Sequence, residues 1–63
     1  MANRYIVARN TETGRWEITA EYPESDGTVL TQKLERDYET QALAASCARF
    51  VSGIGDQVIV HTS

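Results

Sequence analysis

Cys47 and His61 are the single cysteine and single histidine of the chain. Together they are the residue types that a thiol nucleophile and its base would use. Such a pair needs an exposed thiolate with the imidazole in hydrogen-bond reach. The surrounding sequence argues against that arrangement. Cys47 lies inside "QALAASCARFVS", in the middle of an apolar helical stripe, where a thiol behaves as a small hydrophobe. His61 ends "QVIVH", in which Val58 and Val60 share one face and Gln57, Ile59 and His61 share the other. If the valines face the helix, the sheet itself separates thiol from imidazole. Cys47 is therefore expected to be packed and inert, no catalytic residue is assigned, and the chain is not read as an enzyme.

Other chemistry is thinner still. Glu21, Glu24 and Asp26 crowd one turn, but "ESDGT" holds only fragments of a calcium loop, which needs alternating oxygen ligands, a fixed glycine and a distal bidentate Glu. A solvated turn explains it better, since Asp and Gly suit reversals on conformational grounds. The glycines at 14, 27, 53 and 55 build neither G-x-x-x-x-G-K-[ST] nor G-x-G-x-x-G. One cysteine and one histidine cannot make a zinc cluster of the usual spacing. No metal or cofactor is expected.

The elements that would position these residues follow from size and pattern. A chain of 63 residues makes a single small domain, 1–63, and buries only about 60% of its unfolded surface. Six basic against nine acidic side chains leave a net charge of −3. That balance disfavours generic nucleic-acid binding, which rests on clustered Lys and Arg. A lone thiol fits a reducing compartment. "MANRYIVARN" has no apolar run of signal length, and no stretch approaches a membrane span. The expectation is a soluble, cytoplasmic protein with no membrane partner.

"RYIVARN" (4–10) reads as a strand, and Gly14 supplies the positive φ of a hairpin loop. "RWEITAEY" (15–22) alternates strictly: Trp16, Ile18, Ala20 and Tyr22 on one side, Arg15, Glu17, Thr19 and Glu21 on the other. Trp16 is expected at the centre of the core. "PESDG" is a turn, and "TVLTQKLERDY" (28–38) an edge strand whose apolar side is interrupted by Gln32 and Arg36. Thr40 is a plausible N-cap for a helix over roughly 40–52. At 100° per residue, Leu43, Ala44, Cys47, Phe50, Val51 and Ile54 fall in one arc that should face the sheet. Gly53 and Gly55 are expected to stop that helix. "QVIVH" is the last strand. The fold class is α+β, β-β-β-α-β, with a four-stranded mixed sheet of order 3-2-1-4 and one helix on one face. The single helix crossing lets the last strand run parallel to the first, with a right-handed crossover the default; pairing beside the third strand stays open.

Two resemblances rest on these residues. Tyr5 and Val7, Trp16 and Ile18, the alanine-rich run 42–48, and Val58 to His61 resemble a Y-x-V, W-x-V, helix, V-x-V-H pattern. That pattern belongs to short bacterial and phage proteins of an uncharacterised domain family. It implies a fold and no activity. "TETGRWEI" and "YETQALAASCARF" also resemble the arm-type DNA-binding domain of phage integrases, a three-stranded sheet plus helix. Such a resemblance implies DNA contact by basic residues of the sheet, with Arg15 and Lys33 in the comparable places; here they stand among carboxylates, and the strand "QVIVH" is extra.

The favoured function is a small non-enzymatic interaction module that binds a protein partner or itself, including as a homodimer, through the open sheet face. The alternative is a nucleic-acid-binding sheet. If Tyr5, Val7, Val58 and Val60 face the helix, then Ile6, Ala8 and Ile59 face outward on neighbouring strands. Val29 and His61 extend that face, and Arg15, Glu17 and Lys33 border it. These eight residues are the candidate interaction surface.

Overall fold

The computed structural model describes residues 2–62. Its elements are β1 (Arg4–Arg9), β2 (Trp16–Pro23), β3 (Val29–Tyr38), α1 (Gln41–Val51) and β4 (Gln57–Val60). They build one four-stranded sheet in the order β3-β2-β1-β4 with the helix on one face. β1–β2 and β2–β3 are antiparallel, and β4 runs parallel to β1. The open choice for the last strand is thus decided in favour of β1. Among the described residues no helix is long and apolar enough to cross a membrane.

Local chemistry sets the connections. Asn10 and Gly14 close the first hairpin: Gly14 N donates to Asn10 O at 2.7 Å, with Gly14 at φ 73°. Asn10 Oδ1 also accepts from the amides of Glu12 and Thr13. In the second turn Asp26 Oδ1 accepts from the Thr28 amide and hydroxyl at 3.0 and 2.6 Å. Gly27 sits there at φ 92°. Thr40 caps α1 by accepting from Leu43 N at 3.2 Å, which satisfies one of the helix's free donors.

The exit differs from the glycine stop expected. The C-cap is Ser52 in extended geometry, its amide donating to Ala48 O and its hydroxyl to Arg49 O. The positive φ lies at Gly55, inside the turn that leads to β4. Asp56 organises that turn, accepting from Gly53 N at 2.7 Å and from Asn3 N at 2.9 Å. One carboxylate thereby ties the start of β1 to the start of β4.

The core is made of Tyr5, Val7, Ile18 and Ala20 from the sheet and Ala44, Ala45 and Ala48 from the helix. Val7 and Ile18 are the large side chains with no exposure at all. Trp16 is not the centre. It is half-buried at one end of the sheet, directly opposite Tyr38.

The helix also presents a different seam from the expected arc. Ala44 and Ala48 pack on the sheet and Ala45 is buried as well, while Leu43, Phe50, Val51 and Ile54 are exposed. The reason is volume. Tyr5, Val7, Ile18, Trp16 and Tyr22 already fill the sheet face, so the helix fits only through its smallest residues. Of the expected arc, Ala44 is buried and Cys47 half-buried.

Two substitutions test this packing. Ile18→Ala should cost about 2–5 kcal/mol in urea unfolding, the usual range for emptying a buried aliphatic site. Ala48→Leu should overpack the seam and cost about 1–3 kcal/mol. Ala42→Leu, on the exposed side of α1, should stay within about 0.5 kcal/mol of wild type. Equal effects at 42 and 48 would contradict the seam.

Candidate interaction surface

Register places the candidate residues on the sheet face away from the helix. Ile6 lies between Thr19 of β2 and Ile59 of β4, and Lys33 of β3 pairs with Thr19. This makes a cross-sheet row of Ile59, Ile6, Thr19 and Lys33. Ala8 lies opposite Glu17, which lies opposite Asp37. Ile6, Ala8 and Ile59 are half-buried by their neighbours, and His61 is exposed just beyond β4. His61 N donates to Val7 O at 2.8 Å, so it continues the strand's alignment, while its carbonyl accepts from Gln41 Nε2 at 2.7 Å. Val29 has the parity expected but sits at the far end of the sheet, opposite Pro23 and apart from the Ile6–Ile59 pair.

The charged members are all engaged. Lys33 Nζ is 2.8 Å from Glu17 Oε2, which also accepts from Asn10 Nδ2. Arg15 bonds Asp37 at 3.0 Å and approaches Glu39 at 3.9 Å. Arg4 pairs with its cross-strand neighbour Glu21. Lys33 sits opposite Thr19, two residues along β2 from Glu17, and between those two positions the β2–β3 register breaks. Glu17 faces Asp37 and Thr19 faces Lys33, so three residues of β3 span the place of one residue of β2. Alternation alone gives the faces but not this offset. The Lys33 bond, followed by the Asn10 bond, holds the Glu17 carboxyl below its ordinary value of 4.5.

Cys47 and His61 are not brought together as a pair. The Cys47 thiol accepts from the Tyr38 hydroxyl at 2.7 Å. This bond keeps the proton on the phenol, and with burial it pushes the Tyr38 pKa up. The His61 imidazole has no hydrogen bond or ion pair among the described residues. Among those residues, too, no three His, Cys, Asp or Glu side chains gather so as to hold a metal ion.

The helix side exposes groups that helical periodicity assigns to the core. Phe50 is 88% exposed, Leu43 54%, and Ile54 fully exposed. Leu43, Cys47, Phe50 and Ile54 are spaced four, three and four apart, which puts the helical ones on one strip. The Tyr38–Cys47 bond orients that strip toward β3, where Leu30 is also more than half exposed. The missed signal was in the alanines. Periodicity weights Phe and Leu above Ala, yet an already filled sheet selects Ala.

Two measurements follow from these contacts. Glu17 has a depressed folded pKa, so its contribution is complete above pH 4.5 and is lost as pH falls through the folded value. Glu17→Gln should lower Tm at pH 7, and its deficit should shrink toward zero as pH falls through the folded value and the Glu17 carboxyl takes up its proton. A Tm deficit that persisted unchanged in acid would contradict the Lys33 pairing. For the thiol, Tyr38→Phe removes the hydroxyl that covers Cys47, so native-state labelling should speed up several-fold. Equal labelling rates in wild type and variant would argue against that contact.

No family model, curated protein or solved structure matches the chain, so its own surfaces carry the functional reading.

Proposed function

We propose that the chain is a small non-enzymatic interaction module that works by burying apolar surface against a protein partner or against itself. The observation that carries this reading is Phe50, standing 88% exposed on one helix strip with Leu43 and close in sequence to the equally bare Ile54. Single exposed apolar residues are ordinary, but several on one strip mark an interaction surface. The open sheet face, with Ile6, Ala8 and Ile59 bordered by ion pairs, is a second and flatter surface of the same kind.

Nucleic-acid binding through the sheet is the weaker reading. Arg15 and Lys33, the residues in places comparable to the integrase arm domain, are each held by carboxylates. Phosphate contact would first have to break those pairs, and a net charge of −3 adds no long-range attraction.

The test compares wild type with Phe50→Asp, a change at an exposed helix position that should leave the circular dichroism spectrum intact. After cross-linking in cells of the native host, wild type should be joined to defined protein partners, itself included. Those products should survive nuclease and weaken at least about tenfold in Phe50→Asp, the scale of losing one interface anchor. Identical products in both proteins, or products that vanish with nuclease, would overturn the reading.

A further inference from the structure

The two edges of the sheet are built differently. β3 has ten residues and carries Lys33, Glu35, Arg36 and Asp37, together with the register break opposite Ile18. Charges, lysine above all, and bulges are the devices that keep an edge strand from pairing with another chain. β4 has none of them. Gln57, Val58, Ile59 and Val60 are uncharged, free of proline and regularly paired to β1.

Hydrogen bonding shows which groups this bare edge presents. Gln57 N donates to Asn3 O at 3.0 Å, and His61 N donates to Val7 O at 2.8 Å. The odd residues of β4 therefore turn their backbone toward β1. Alternation leaves the amides and carbonyls of Val58 and Val60 pointing outward, away from the sheet.

Resting on the reading of the chain as an interaction module, we propose that β4 pairs antiparallel with β4 of a second copy about a two-fold axis through Ile59. In that register Val58 faces Val60 of the other copy, and the reverse. Both are residues with outward backbone groups, as a hydrogen-bonded antiparallel pair requires. Ile59 meets its own counterpart on the axis as the non-bonded pair, where side chains come closest. Gln57 stands opposite His61. No like charges oppose one another, and β-branched residues match β-branched residues. On the open face the Ile6–Ile59 pair of one copy then continues into that of the other, making one aliphatic row across an eight-stranded sheet.

The occupant is a second copy because the edge is its own complement under the two-fold operation. A pairing of five residues, Gln57 to His61, covers well under the roughly 800 Å² per partner of a stable complex. The association is accordingly weak.

Sedimentation from about 20 µM to about 1 mM should show a reversible shift from monomer to dimer. Over the same range, amide exchange at Val58 and Val60 should slow roughly tenfold, while amides of β3 stay unchanged. Ile59→Lys and Ile59→Glu should each be monomeric, because like charges meet on the axis. Their equimolar mixture should recover a heterodimer. A wild type monomeric at about 1 mM, or a dimer whose new protection falls on β3, would overturn the β4 contact. If both Ile59 variants unfold, the wild-type exchange and sedimentation results still decide it. A monomer that keeps its Phe50-dependent partners would overturn this contact alone and leave the interaction module standing.

Discussion

The close approach of two alanines, Ala44 and Ala48, to a crowded sheet is the constraint on which the molecule depends. Tyr5, Val7 and Ile18 present large side chains on the helix side of β1 and β2, and Trp16 and Tyr22 extend that surface. A helix can lie on such a surface only by bringing its backbone near, which needs small residues at the contact. Ala44 and Ala48 meet that need, and Ala45 is buried with them. Once they are seated, every other position of α1 is fixed. Gln41 meets the end of β4, Cys47 meets Tyr38, and Leu43, Phe50 and Val51 are turned outward. The exposed strip is thus a consequence of the core, and no rotation of the helix could bury both.

The same dependence explains the two ends of the helix. Only Glu39 and Thr40 separate β3 from α1. The N-cap bond of Thr40 starts the helix at once above the Tyr38 end of the sheet. At the other end Asp56 holds Gly53 and Asn3 together, placing β4 beside β1 with its valines toward the core. These polar contacts are exposed or only part-buried and individually modest. They select a geometry that the apolar groups then stabilise, which is what exposed ion pairs such as Lys33–Glu17 and Arg15–Asp37 also do.

Much of this was legible in the residues. Strict alternation in "RWEITAEY" defined the face of β2, the glycine at 14 marked the hairpin, and Thr40 marked the helix start. Parity alone placed Ile6, Ala8 and Ile59 on the open side. The helix rotation was not legible, because it is decided by the volume of the opposing sheet and not by the helix's own periodicity. Trp16 misled for a related reason: bulk suggests a centre, but its place at the first position of β2 puts it at the sheet's end. The β3 register break left no local mark either. It follows from fitting a ten-residue strand to an eight-residue neighbour between fixed turns.

A chain this short has little stability to spare, and the arrangement spends hydrophobic groups outside its core. Fully burying a side chain such as Phe or Ile is worth about 1.5–3 kcal/mol, against a typical total of about 5–15 kcal/mol for a whole domain. Phe50 and Ile54 realise almost none of that within one chain, and the Val58–Val60 edge leaves its outward backbone groups to water. Inside the monomer these groups have no better place, because the alanine seam already occupies the sheet. Contact between chains is the remaining way for them to leave water. The small seam that makes the fold possible therefore also leaves these apolar groups outside the core of the single chain.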